Sequence, residues 1–238
     1  MPRVCFTVDM EQDCPPYLHT WRGVEQGTPR LLELLTNAGI SATFFTTGQV
    51  AERFPDTVRE IVAAGHELGC HGNIHRVFTD LDEESASEEI ETASQILRQF
   101  APVTSFRAPN LRFPPDYLPL LVNHGYRIDS SDAKYKLAYY RNSSSSTLLR
   151  VPASATSSIL RLPKVVREPY LACLSDPVVL FVHPWEFVDL TKEKLRIDCR
   201  FRTGEMAMRC VSAVLGFFDK RGATFQKMGE LSRVSEAR

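Results

Sequence analysis

The chain has 238 residues, 24% of them charged, and a formal net charge of -1. That is long enough to bury a substantial core, and the even mixture of signs leaves no electrostatic footprint for nucleic acid. No apolar run reaches the roughly 18–20 residues that a bilayer span requires, and no charged-then-apolar leader precedes the first apolar run, so a single cytoplasmic domain over 1–238 is expected. The six cysteines (5, 14, 70, 173, 199 and 210) follow no regular spacing and contain no Cys-x-x-Cys pair, which fits reduced thiols better than a disulfide framework.

Apolar runs then alternate with amphipathic stretches. Residues 4–9 are predicted as a strand and 28–38 as a helix whose apolar side carries Leu31, Leu32, Leu34 and Leu35 and which Gly39 ends. A strand over 41–46, a helix over 49–64 stopped by Gly65, a short strand over 67–71 and a long helix over 83–100 follow. Strands at 104–107 and 126–129 flank a helical stretch at 114–123; 178–183 is the most buried-looking strand, and 205–220 the last helix. Strand-then-helix units of this kind indicate a parallel sheet covered by helices. The rhythm breaks at 138–177, where a polar loop (143–146) precedes mixed apolar and basic segments. This stretch is expected to be a capping insertion, with a substrate- or membrane-facing lid as the alternative, since basic amphipathic segments can make peripheral contact with anionic surfaces.

The chemistry-bearing residues fall at predicted strand ends: Asp9, His71, Arg107, Asp129 and His183. In a parallel barrel, active sites form on that face; an open doubly wound sheet is the rival architecture, but no Gly-x-Gly-x-x-Gly follows the first strand. His71-Gly72-Asn73-Ile74-His75 sets two imidazoles four residues apart, which predicts both rings on one face of a helical turn and a zinc-type site completed by a carboxylate. The His-Glu-x-x-His signature is absent, because Cys70 stands where its second histidine would be. Asp9, Glu11 and Asp13 alternate, so an extended backbone would aim all three to one side, where a divalent metal is the natural partner. One carboxylate can then bind metal while another serves as general base. Arg107, directed by the following Ala108-Pro109, is a candidate to hold a carboxylate ionised and oriented. His183 is a candidate general acid, with Asp129 or Asp132 to orient it, although 128–132 also reads as an Asx-type turn.

With these residues in hand, the chain resembles the NodB-homology polysaccharide deacetylases, the family 4 carbohydrate esterases. The resemblance rests on Thr7-Val8-Asp9-Met10-Glu11, His71-Gly72-Asn73-Ile74-His75, Arg107-Ala108-Pro109, Ile128-Asp129-Ser130-Ser131-Asp132 and Phe181-Val182-His183-Pro184, all in the family's order. It implies an incomplete (β/α) barrel of about seven parallel strands, a divalent metal, usually Zn2+, and removal of N-acyl groups from amino sugars. It also implies roles: His71 and His75 as metal ligands, Asp9 as catalytic base, Arg107 as the residue orienting it, His183 as general acid, and Asp132 as its supporting carboxylate, with Asp129 as the alternative. Met10 occupies the place of the usual metal aspartate, so Glu11 is expected as the third ligand, similar to the family's Asp-x-Glu variants. Ala133 stands where many members have a groove tryptophan, and Leu111 where many have glycine. The resemblance therefore implies an amino-sugar-containing small molecule, a lipid-linked sugar or an oligosaccharide as substrate. An allantoinase-like amidohydrolase and a non-catalytic carbohydrate-binding homologue are the alternatives. His183-Pro184-Trp185-Glu186 resembles the His-Pro-Trp-Glu of variant deacetylases.

Overall fold

The structure is a computed structural model and describes residues 1–136 and 148–235. In chain order its strands are β1 (Arg3–Met10), β2 (Thr43–Thr46), β3 (Glu67–Cys70), β4 (Ser105–Phe106), β5 (Ile128–Asp129), β6 (Leu149–Arg150), β7 (Val178–Val182) and β8 (Thr224–Phe225). The helices are α1 (Thr28–Ala38), α2 (Gly48–Arg53), α3 (Pro55–Ala63), α4 (Glu83–Leu97), α5 (Leu118–Asn123), α6 (Ser157–Leu160), α7 (Lys164–Ala172), α8 (Ile197–Arg200), α9 (Glu205–Asp219) and α10 (Met228–Ser235). The helix expected over 49–64 is two. Pro55 lacks an N–H and excludes the preceding residue from the helical region, and Phe54 sits at φ -128°, ψ 56° between α2 and α3.

The strands run in the order β6-β5-β4-β3-β2-β1-β7, and the short β8 pairs with the start of β1. All pairs are parallel, and together they form a half-barrel. Register carries one level of the sheet across five strands: Met10 faces Thr46, Thr46 faces Cys70, Cys70 faces Phe106, and Phe106 faces Asp129. The residues that follow these positions therefore emerge together at one mouth. The two ends of the sheet approach each other along the stretch after β6. There Ala155 bridges Leu180, and the Ser154 amide donates to the Val179 carbonyl at 2.8 Å.

Alternation along the strands sorts the side chains. Val4, Phe6, Val8 and Met10 face outward into a core shared with Leu31 and Leu35 of α1 and with Val211, Val214 and Phe218 of α9. Leu68, Cys70 and Phe106 pack outward against Ala86, Ile90 and Leu97 of α4. Inside, Cys5, Phe45, Ile128, Val151 and Val179 close on Met228 and Leu231 of α10, which plug the lower end. Of the insertion expected at 138–177, residues 148–177 carry β6, which joins the sheet, and the helices α6 and α7. Its residues 138–147 lie outside the described ones. Among the described residues, no helix is long and apolar enough to cross a membrane.

Candidate metal centre and active site

Glu11, His71 and His75 meet at the open mouth, with one ligand atom from each lying within 4.8 Å of the others. Strand parity explains why Glu11 is there and Met10 is not. Asp9 points into the barrel, Met10 turns outward into the core beside α1, and Glu11 turns inward again as the strand ends. Asp13 departs from the expected alternation. It accepts from Thr20 Oγ1 (2.6 Å) and from the amides of Arg22 and Gly23 (2.8 Å each), so it ties down a loop instead of joining the site.

The two histidines converge without the expected helical turn. Residues 71–75 form a loop in which Gly72 (φ 76°) and His75 (φ 60°) are both left-handed, and the ring centroids lie 5.4 Å apart. Buried Glu89 of α4 accepts from the Asn73 and Ile74 amides at 2.9 and 2.8 Å. The amides of Gly48 and Gln49, opening α2, donate to the Gly72 and Asn73 carbonyls. The loop is thus gripped from two helices.

The donor chemistry fits a cation. His71 Nδ1 donates to the Arg107 carbonyl at 2.8 Å, since a carbonyl can only accept. In the neutral imidazole this leaves the Nε2 lone pair directed at Glu11 Oε2, 3.3 Å away. Two acceptors face each other there, and His75 Nε2 lies 2.6 Å from the same oxygen. A proton or a metal ion between them satisfies all three, and a backbone carbonyl fixing the tautomer is usual for histidine ligands. Burial opposes ionisation of Glu11, but the neighbouring His75 and His183 and the close imidazoles of His71 and His75 on its oxygens hold its carboxyl well below the ordinary range. Burial likewise lowers and Glu11 raises His75, with a net upward shift.

Opposite the cluster, Asp9 Oδ1 lies 2.6 Å from Arg107 Nη1. Arg107 is fully buried, donates further to Thr7 Oγ1 (2.7 Å) and Ser130 Oγ (3.0 Å), and stacks its guanidinium 4.2 Å from the Phe45 ring centre. The guanidinium therefore has a single orientation, and with it Asp9.

His183 is where the expected supporting residue changes. Its Nδ1 donates to Glu186 Oε1 at 2.8 Å, and the same oxygen accepts the His183 amide at 3.0 Å, as in a capping box. Glu186 and Arg161 are each 1% exposed, and Arg161 Nε lies 2.9 Å from Glu186 Oε2. Burial raises Glu186, but Arg161 and His183 outweigh it and leave its carboxyl lowered. Asp132 and Asp129 do not reach the imidazole. Arg150 holds both, at 3.6 and 3.1 Å, and Asp129 closes an Asx-type turn on the Ser131 amide. Their carboxylates face the β6 side of the wall because Arg150 lies directly across from Asp129 in the sheet register. Burial lowers His183, while Glu11 and Glu186 raise it further, to about 9.

Trp185 and Glu186 entered the sequence pattern only within the motif His183-Pro184-Trp185-Glu186, without a role, and Glu89 was not singled out. Trp185 stacks on His183 (4.7 Å, 20°) and donates from Nε1 to Glu11 Oε1 at 3.3 Å. A further local signal for Glu186 was its place three residues after His183, the capping-box spacing. The cavity enclosed by these groups measures about 330 Å³, within the range of about 300–1,000 Å³ usual for small-molecule sites.

Half-barrel and mouth together place the chain among folds of the carbohydrate-esterase type. A family 4 carbohydrate esterase from Streptomyces lividans, solved in complex with acetate, is similar with a TM-score of 0.64 at 17% identity, covering 94% of this chain and 91% of that one. A family 4 pseudoenzyme from Bacillus anthracis is similar with a TM-score of 0.66 at 14% identity, covering 97% of this chain and 65% of that one. By sequence, residues 4–128 match the polysaccharide deacetylase family. The chain belongs to that family. It is 32% identical over 110 residues to a peptidoglycan deacetylase of Helicobacter pylori, covering 45% of this chain and 37% of that protein. It is 33% identical over 96 residues to a peptidoglycan-N-acetylglucosamine deacetylase of Bacillus cereus, covering 40% of this chain and 33% of that protein. The chain thus spans little more than a third of the length of these relatives.

Proposed function

We propose that the protein hydrolyses the N-acyl amide of an amino sugar, releasing acetate or formate and a free amine. The observation that carries this is one cavity bordered by the Glu11–His71–His75 donor set, the Asp9–Arg107 pair and the Glu186-held His183. A divalent metal held by Glu11, His71 and His75, for which zinc suits two imidazoles and a carboxylate, would supply Lewis acidity and an acidified water there. Asp9, aimed by Arg107, takes a proton from the attacking water. His183, whose Nδ1 is committed to Glu186, offers Nε2 to the departing amine as its proton donor. Substrates within this proposal are N-acylated amino sugars, free, oligomeric or lipid-linked, in line with relatives named for peptidoglycan and chitooligosaccharide. A cytoplasmic location, expected from the irregular cysteine spacing, is part of the same proposal.

The test is metal content of the purified protein together with acyl release from an N-acetylated chitooligosaccharide. Chelation should remove turnover, and a divalent metal should restore it. His71→Ala should lose both metal and turnover. His183→Ala should keep the metal and slow turnover by about 10²- to 10⁴-fold. Full activity in the His71 variant would sink the scheme.

A further inference from the structure

Beside the catalytic cavity lies a second hollow of about 870 Å³, and the two share Tyr17, Asn110, Leu111, Lys136 and Arg196 in their walls. Its charged lining is Arg112, Lys136, Arg150 and Arg196 against the single carboxylate of Asp132. Two of the four cations have acidic partners: Arg150 is held by Asp129 and Asp132, and Arg196 by Asp198 at 2.7 Å. The other two do not. Among the described residues no carboxylate lies within ion-pair distance of Arg112 or Lys136.

Lys136 is instead fixed by backbone oxygens. Its Nζ donates to the carbonyls of Leu111 (2.8 Å) and Asn110 (3.3 Å), two successive residues in the left-handed region at φ 52° and 58°. Backbone held in that way by non-glycine residues is costly and collects at ligand-binding positions. Burial lowers the Lys136 ammonium, Asp132 opposes that, and Arg112 is near enough to lower it further. Lys136 and Arg112 therefore lie near one another beside the site, and the one acid in the lining, Asp132, is engaged by Arg150.

We propose that this hollow is a subsite for an oxyanion, a carboxylate or a phosphate, carried by the substrate next to its acylated amino sugar, with Arg112 and Lys136 as its recognition pair. This rests on the amino-sugar deacetylase proposal and narrows its substrates to acidic saccharides.

The test is a comparison of affinities by calorimetry with the full chain. The probes are neutral N,N'-diacetylchitobiose, the carboxylate-bearing disaccharide N-acetylglucosaminyl-N-acetylmuramic acid, and N-acetylglucosamine 1-phosphate. At least one acidic saccharide should bind about tenfold more tightly than the neutral one, the worth of one charge-assisted contact. Which acid gains identifies the source of the oxyanion. In Arg112→Ala, whose exposed side chain leaves the fold unburdened, the acidic-to-neutral ratio should fall toward one, and in wild type it should shrink at about 0.5 M salt. Equal affinities for all three in wild type, or a ratio that survives Arg112→Ala, overturns the subsite. Acyl release from diacetylchitobiose is read separately, and its absence would count against the deacetylase proposal rather than against the affinity ratio.

Discussion

At Glu186 burial and an arginine compete for one carboxyl group, and the arginine prevails. The consequence passes to His183, which in the metal-free protein Glu11 and Glu186 raise to about 9 against its own burial. A folded-state value of about 9 against an ordinary 6.5 means that this imidazole contributes stability fully below pH 6.5 and loses it as pH rises through 9. In Glu186→Gln, NMR titration of metal-free protein should put the His183 transition below that of wild type. Denaturant unfolding should show a loss of about 3–5 kcal/mol from stranding buried Arg161, with the carbonyls that Arg161 also contacts keeping it near the lower figure. An unchanged His183 transition would show that Glu186 does not hold it. At this scale the convergence of Glu11, His71 and His75 was legible because alternation and spacing are local properties: Asp9 and Glu11 share a parity, and Met10 has the other. The partner of His183 was not legible. Asp132 and Glu186 are both acids near strand ends, and only the tertiary position of Arg150 and Arg161 decides which one is engaged elsewhere.

The loop from His71 to His75 is an element without regular structure of its own. A helical turn would bring two rings together at that spacing, and so does this loop, but its shape comes from contacts that the spacing does not encode. Glu89 reaches in from the middle of α4, sixteen and fifteen residues from the amides it binds. Such a partner is invisible to any local pattern, since on sequence Glu89 is one more acid in an acidic stretch. Glu89→Ala should leave α4 formed, as its Asp82 cap on the Ser85 amide is untouched, yet free the loop. Zinc affinity by competition with a chromophoric chelator should then fall about 10- to 100-fold, the usual cost of losing an outer-shell contact. Affinity equal to wild type would show that α2 alone fixes the loop. The split of the predicted 49–64 helix was, by contrast, readable in Pro55, a local breaker that a search for apolar periodicity overrode.

Across the molecule, the order of strands and helices from 4 to 129 could be read from alternating apolar runs, because each unit satisfies its own period. How the sheet closes could not. The segment expected as a cap begins after β5, where strands of two residues carry almost no periodic signal. The closure has a physical consequence for how the barrel moves. β1, which carries Asp9, is paired with three strands, whereas among the described residues the ends of the sheet are bridged in register only between Ala155 and Leu180. Hydrogen exchange should therefore release the Ser154 amide well before those of Val8 and Met10, and equal protection would contradict this. The wall then has a built-in expansion joint. One side of that joint is the strand leading to His183, so the proposed proton donor stands beside the seam of the sheet while Asp9 and Glu11 stand on or just after the strand paired on both sides.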